Sequence, residues 1–189
     1  MKKLSFQEIT ARRHSLKSIR TAERFPVYAL LDNIRSLYNV GSIFRTADAL
    51  RLKKLFLTGF TGSPPRKEID KTALGAVETV PWEYHRDPLT IILRLKEQGV
   101  KIIILEHTSE SREFNQLDYA FPCCFVAGNE VEGIRDEIVA QADTAVEIPM
   151  FGTKQSLNVT IAFGILGYEI LFQYLSRNRS DSGSAANAD

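Results

Sequence analysis

The chain has 189 residues, of which 44% are hydrophobic and 25% are charged, values typical of a folded protein with one well-packed core. No apolar run approaches the roughly 20 residues of a membrane span, and Met1-Lys2-Lys3 leads into no signal-peptide core, so we expect a cytoplasmic protein without a membrane partner. Adjacent Cys123 and Cys124 lie in an apolar run, form no metal-ligand pattern and are expected to stay reduced.

Charge is unevenly distributed along the chain. The first 24 residues carry seven Lys or Arg against two Glu, a net charge of +5, whereas the remaining residues carry a net charge of −4. A basic extension on a slightly acidic body fits a polyanion partner, although a solvated helix would explain the charges equally well. We predict a basic helical extension over 1–24, one domain over 25–176, and a disordered polar tail over 177–189.

The apolar pattern between extension and tail alternates short strands with helices. We predict strands at 27–31, 54–58, 101–105, 123–127 and 145–148. We predict helices at 40–50, 68–74, 89–98, 135–142 and 159–175, with a turn-rich loop at 62–65. Short apolar strands separated by helices indicate an α/β fold, in which a mostly parallel sheet carries helices on both faces.

Polar residues gather in three loops that follow predicted strands. The first is segment 32–47, the second is 125–134, and the third is 148–160, where Ser156, Asn158 and Thr160 alternate with apolar residues at the start of a helix. One such residue is enough to cap a helix, so the third loop carries more polar groups than capping requires. Sheets of this kind bind ligands beyond the carboxyl ends of their strands, and we therefore expect a binding site there.

Taken together, the three loops resemble the signature motifs of the SpoU (TrmH-like) RNA 2′-O-ribose methyltransferases, in the SPOUT superfamily. The resemblance runs from near Pro26 to near Leu175, with the motifs in the family's order and spacing. It implies an enzyme that uses S-adenosylmethionine and no metal, with a deep trefoil knot at the C-terminal end and a homodimer formed through the knot. True knots are very rare, so the hydrophobic pattern could not have predicted this one.

The resemblance also implies the residues of the site. The catalytic residues would be Asn39, Arg45, Glu130, Ser156 and Asn158. The cofactor-binding residues would be Gly128, Ile148, Met150, Ser156 and Leu157. The segment 106–108 is expected to line the cofactor side as well.

Two of these residues have more than one reading. In the family, the arginine that Arg45 matches is proposed to activate the ribose 2′-hydroxyl, sometimes as a general base. A guanidinium stays protonated, so we expect Arg45 to bind phosphate and stabilise the developing alkoxide. Glu130 could instead cap the helix that starts near Ile134.

RNA is the expected partner, because a 2′-hydroxyl distinguishes RNA from DNA. Basic side chains of the extension would contact phosphate: Arg12, Arg13, Lys17, Arg20 and Arg24. We favour tRNA, since the chain has no room for the separate N-terminal RNA-binding domain of some relatives. Three alternatives stay open: an rRNA substrate, methylation of a base nitrogen, and an RNA-binding protein that has lost catalysis.

Overall fold

The computed structural model describes residues 1–185, with side chains described through Arg179, and its strands form one sheet. The seven strands are β1 (Phe25–Asp32), β2 (Leu52–Thr58), β3 (Trp82–His85), β4 (Lys101–Leu105), β5 (Arg112–Glu113), β6 (Cys123–Ala127) and β7 (Thr144–Glu147). Their order is β3-β2-β1-β6-β4-β7-β5, and every pairing between them is parallel. The predicted α/β sheet is confirmed.

Helices cover both faces of the sheet, also as predicted. They are α1 (Phe6–Thr10), α2 (Leu16–Thr21), α3 (Leu37–Ala49), α4 (Lys67–Ala73), α5 (Pro88–Glu97), α6 (Asp136–Val139) and α7 (Val159–Ala185), with a 3₁₀ turn at Ala76–Glu78. One apolar core joins the sheet to α3, α4 and α7, and a second core joins the opposite face to α5 and α6. Central strands are therefore buried on both sides, which explains their continuous apolar runs.

The sequence analysis did not predict two strands, and both are edge strands of the sheet. β3 and β5 each pair with one neighbour only, and their residues are half-buried or exposed. An edge strand needs less apolar surface than a central one, so its sequence carries no buried run for the periodicity to reveal.

The basic extension forms two short helices, where the sequence predicted one. Ser5 and Ser15 each accept a hydrogen bond from the backbone N–H three residues later and close a capping box. Such a box starts a new helix, so α2 begins at Leu16 and leaves Arg12 and Arg13 in the connection between the two.

Helix α7 differs from its prediction at the C-terminal end. It continues to Ala185, ten residues past the expected end at 175 and into the expected disordered tail; positions 186–189 lie outside the described residues. By length and composition the segment Val159–Arg179 could cross a membrane, contrary to the expectation that no segment approaches this limit. In this fold α7 buries Phe163, Leu166 and Ile170 in the core, as a core helix does.

Candidate functional site

The three motif loops meet at one edge of the sheet, because parallel strands place their carboxyl ends together. β1 pairs with β6, and Leu31 lies opposite Ala127, so the loops that follow these strands are neighbours. Asn129 joins them: its Nδ2 donates to the backbone oxygen of Asn33 at 2.8 Å. Its Oδ1 accepts hydrogen bonds from the next turn of its own loop, so one buried amide holds both segments.

Glu130 binds the first motif directly. One carboxylate oxygen accepts from the backbone N–H of Arg35 at 2.9 Å, and the other accepts from Ser36 N–H at 3.2 Å and Asn39 Nδ2 at 2.8 Å. The alternative, a cap on the helix near Ile134, is not what the structure shows: Glu130 binds the segment that leads into α3.

These contacts decide the protonation state of Glu130. Burial alone would raise the pKa of this carboxyl, but hydrogen bonds from the Arg35 backbone, the Asn39 side chain and the Ser36 backbone outweigh burial and hold the pKa below its ordinary value. Glu130 is therefore a carboxylate near neutral pH, an acceptor that orients its donors and has no proton to give.

Asn158 extends this chain of contacts to the third motif. Its Nδ2 lies 3.4 Å from Asn39 Oδ1, and its Oδ1 accepts from the backbone and the hydroxyl of Thr160 at 2.9 and 2.6 Å. Asn158 is thus both the cap of α7 and a neighbour of Asn39. Three of the five predicted catalytic residues, one from each motif, are brought together.

Arg45 lies outside this network of contacts. It lies six residues beyond Asn39 on α3, which corresponds to about 9 Å along the helix axis and about 120° around it. Its side chain is exposed and forms no hydrogen bond or ion pair with any described residue. The guanidinium therefore contacts neither Glu130 nor Asn158 and is available to a ligand.

A buried ion pair, which the sequence did not predict, also joins the end of β1 to the end of the Glu130 loop. Asp32 is fully buried and accepts from Arg135 Nε at 2.9 Å, from Arg135 Nη2 at 2.6 Å and from Thr58 Oγ1 at 2.9 Å. A two-pronged Arg–carboxylate pair of this kind is strong and directional. The available signal was the aspartate that ends an apolar strand, since a buried carboxylate requires a partner.

A cavity of about 610 Å³ opens beside the Glu130 loop, between the segments that follow β4, β6 and β7. All five predicted cofactor-binding residues line it: Gly128, Ile148, Met150, Ser156 and Leu157. Segment 106–108 lines it too, as expected. Glu106 also braces the cavity wall, because its carboxylate accepts from the backbone N–H groups of His107 and Ile134, both at 2.9 Å.

Gly128 lies where its own loop leaves no space for a side chain. A Cβ at Gly128 would lie 2.6 Å from the Gly133 carbonyl and from Ile134 Cγ1. The position must therefore be glycine for the loop to close on itself.

Apolar and acidic groups share the cavity lining. Leu105, Ile148 and Leu157 supply an apolar wall, while carboxylates of Glu106 and Glu147 lie on the same cavity. Such a lining suits a small ligand that has an apolar ring and carries positive charge. Among the described residues, no group of three His, Cys, Asp or Glu side chains is placed to hold a metal ion.

The predicted RNA-binding residues lie at the other edge of the sheet. Arg24 donates to the backbone oxygens of Leu52 and Thr79 at 3.2 and 2.5 Å, so its guanidinium anchors the extension to the fold. Arg12, Arg13, Lys17 and Arg20 are exposed. Thr79 also donates to Asp48, nine residues beyond Asn39 on α3, so about 14 Å of helix separates this anchor from Asn39.

Replacing Glu130 should weaken the contact between its loop and the first motif, and the effect should depend on pH. Glu130→Gln removes the charge that accepts three hydrogen bonds, and we expect a loss of about 1–2 kcal/mol in the free energy of unfolding near neutral pH. The folded-state pKa is depressed, so this contribution is full above the ordinary value of 4.5 and disappears as pH falls through the lower folded value. Urea unfolding of both proteins, from about pH 7 down to pH 3, measures the difference.

Glu132→Gln is the matched control, because Glu132 lies in the same loop and its exposed carboxylate has no hydrogen-bond partner among the described residues. A stability difference for Glu130→Gln that does not change with pH would contradict the role given to the charge of the Glu130 carboxylate.

Comparison with known proteins agrees with this geometry. The model of the SpoU rRNA Methylase family matches residues 26–168. A tRNA (guanosine(18)-2′-O)-methyltransferase of Aquifex aeolicus is 34% identical over 153 residues, which cover 80% of this chain and 69% of the relative. The crystal structure of the A. aeolicus TrmH/SpoU tRNA modifying enzyme superposes with a TM-score of 0.78 at 32% identity, over 86% of this chain and 84% of that one.

The structure of an AdoMet-bound rRNA methyltransferase from Sinorhizobium meliloti superposes with a TM-score of 0.71 at 29% identity, over 80% of this chain and 58% of that one. Family match, sequence identity and fold agree with the three motifs at the carboxyl edge of the sheet. The chain belongs to the SpoU methylase family.

Proposed function

We propose that this protein transfers the methyl group of S-adenosylmethionine to a ribose 2′-hydroxyl in tRNA. The observation that carries the proposal is the contact of Glu130, Asn39 and Asn158 at the rim of a cavity with an apolar and acidic lining. The A. aeolicus relative is named for 2′-O-methylation of a tRNA guanosine, and we extend that reaction type to this chain.

The cavity fits S-adenosylmethionine in size and in charge. Its volume of about 610 Å³ lies within the range of small-molecule sites. Ile148, Met150 and Leu157 would hold the adenine, and the carboxylates of Glu106 and Glu147 complement the net positive charge of the cofactor. When bound, the sulfonium supplies an activated methyl group, so the protein's task is to place an oxygen in line with it.

The protein's own residues would orient the target. Glu130 stays a carboxylate and fixes Asn39, whose side-chain oxygen then lies on the side of Asn158. Arg45 has no partner among the described residues, so its guanidinium would bind the phosphate next to the target ribose and stabilise the developing alkoxide. Proton transfer to water can follow, with no side chain acting as a strong base.

Methyl transfer from labelled S-adenosylmethionine to unmodified bulk tRNA, and separately to rRNA, tests the function. After digestion, mass identifies the labelled nucleoside, and we expect a 2′-O-methylated nucleoside from tRNA. Label in rRNA alone would favour the second candidate, rRNA methylation, which the S. meliloti neighbour supports. A methylated base would contradict ribose chemistry, and a protein that binds no cofactor and transfers no label would be an RNA-binding relative without catalysis.

Arg45→Ala should abolish methyl transfer while cofactor affinity stays normal. Loss of one group that stabilises a developing oxyanion costs about 100- to 1,000-fold in turnover, and we expect an effect of this size. Single-turnover kinetics measures it, with calorimetry for the cofactor. Lys53→Ala removes an exposed cation that has no partner among the described residues and serves as the control. Turnover retained by Arg45→Ala would remove Arg45 from the mechanism.

The four exposed cations of the extension are proposed to contact RNA phosphate. Replacing Arg12, Arg13, Lys17 and Arg20 with serine should weaken tRNA binding and reduce the slope of log affinity against log salt by about 3, since each phosphate contact contributes about 0.7–0.9. Filter binding over a salt series measures this slope. Arg24→Ala is the contrasting variant: it should lower stability and leave the slope unchanged. Equal slopes for wild type and the fourfold variant would make the extension a solvated segment.

We also propose that the protein forms a homodimer through α7. Ile161, Tyr168 and Phe172 are exposed and recur at intervals of seven and four residues, so they form one apolar stripe along the helix. A second copy covering this stripe would bury it. Light scattering should give twice the chain mass for wild type and the chain mass for Phe172→Glu. A monomeric wild type would contradict the proposal.

We propose three further features of the protein. We place the catalytic domain at 25–176, supported by the match over residues 26–168. We infer the family's trefoil knot in its C-terminal part; an experimental structure with an unthreaded chain would contradict it. A cytoplasmic location is supported by Cys123 and Cys124, which are buried free thiols; fractionation of cells tests it.

A further inference from the structure

Three aromatic side chains are exposed beside the site, on the side away from the cavity. Tyr38, Phe60 and Tyr84 are 48%, 59% and 44% exposed. Tyr38 is the second residue of α3, Phe60 lies two residues after β2, and Tyr84 is the third residue of β3, so all three lie at the carboxyl edge of the sheet. We call these three residues the aromatic platform.

Phe60 is held in a rigid turn although its ring is exposed. Its backbone N–H donates to Asn33 Oδ1 at 3.0 Å, and the Tyr84 hydroxyl donates to the Gly59 oxygen at 2.6 Å. Gly59 has a φ of 63°, and a Cβ there would collide with Asn33 Oδ1. The turn is therefore ordered before any ligand arrives, which lowers the entropic cost of binding to it.

The aromatic platform is contiguous with the catalytic residues. Asn33, which holds Phe60, also accepts from Asn129 Nδ2 at 2.8 Å, in the loop that carries Glu130. Tyr38 immediately precedes Asn39, and its backbone oxygen accepts from Thr72 Oγ1 at 2.9 Å. A ligand on the platform would thus reach the Glu130–Asn39 pair without crossing another element.

Cations lie in or next to the segments that carry the aromatic platform. Arg35, Arg66, Lys67 and Arg86 are exposed and form no ion pair with any described residue, and Lys71 lies 5.9 Å from the centre of the Tyr38 ring. The exposed carboxylates of the same loops and helix are Glu68, Asp70 and Asp87. Exposed aromatic faces with free cations are the combination that binds unpaired nucleotides: bases stack on the rings and phosphates bind the cations.

We propose that the aromatic platform stacks an unpaired base next to the target ribose, while the cations of these segments bind its phosphates. The proposal rests on the proposed function, because it names a contact of the RNA substrate. A duplex displays its 2′-hydroxyls along the shallow minor groove, so a ribose must leave the duplex to reach a cofactor inside a cavity, and its neighbouring bases then lose a stacking partner. Phe60 offers the neighbouring base a replacement surface.

Two substitutions at Phe60 separate stacking from shape. Phe60→Leu keeps an apolar side chain without a π face, and Phe60→Trp keeps the π face. We expect Phe60→Leu to bind unmodified bulk tRNA about tenfold more weakly and Phe60→Trp to stay within about twofold of wild type. Filter binding at one salt concentration measures both, with calorimetry of S-adenosylmethionine as the check on folding. Leu93→Ala, an exposed apolar residue on α5, is the control.

The possible results distinguish failure of the aromatic platform from failure of the proposed function. Unchanged tRNA affinity in Phe60→Leu, with wild type methylating tRNA, overturns the proposal and leaves the function standing; the platform would then be a protein-binding surface. Equal losses in both variants also overturn it, since shape alone would then matter. If Phe60→Leu loses cofactor binding, Tyr38→Leu replaces it with the same expected tenfold loss. A wild type that binds cofactor but no RNA would overturn the function and the platform together.

Discussion

The site depends on one carboxylate that accepts three hydrogen bonds from a distant part of the chain. Glu130 lies more than 90 residues from its donors in sequence, and its contacts hold the segment that leads into α3 in place. Each donor favours the charged form, and so does the positive end of the α3 dipole. Because Glu130 is thereby fixed as a carboxylate, it serves as a hydrogen-bond acceptor that holds Asn39 and has no proton to donate.

A parallel sheet makes this contact possible and a buried ion pair makes it rigid. Only parallel pairing of β1 with β6 places both loops at the same edge, and the Asp32–Arg135 pair then ties them together beneath the site. A buried charge without its partner is strongly unfavourable, so the two loops are held as a unit. The cavity forms against this unit, since one of its walls is the Glu130 loop itself.

The two ends of α3 lie next to different parts of the molecule. At its start lie Asn39 and the aromatic platform, and at its end the basic extension is anchored through Arg24. An RNA that contacts both must follow the molecule over about 14 Å, which is too long for a single nucleotide.

Local pattern was sufficient for the central strands and for the motif loops. Strands buried on both faces are continuously apolar, and polar loops after them stand out, so the α/β sheet and the binding edge could be predicted from the pattern. The residues that line the cavity were implied by the resemblance of the three loops to the family's motifs. The edge strands β3 and β5 lack that pattern. The break between α1 and α2 was missed for a different reason: it depends on serine caps that compete with helix continuation.

The tertiary structure alone decided which residues meet. The sequence determined that Asn39, Glu130 and Asn158 are polar groups after strands, but their mutual contacts depend on strand order, which brings together segments about 90 to 120 residues apart. Packing also decided that Arg24 is an anchor, that Gly128 serves loop closure, and that Arg45 lies apart from Glu130. A side chain's partner is set by three-dimensional packing, and residue type and spacing specify only what kinds of partner it can have.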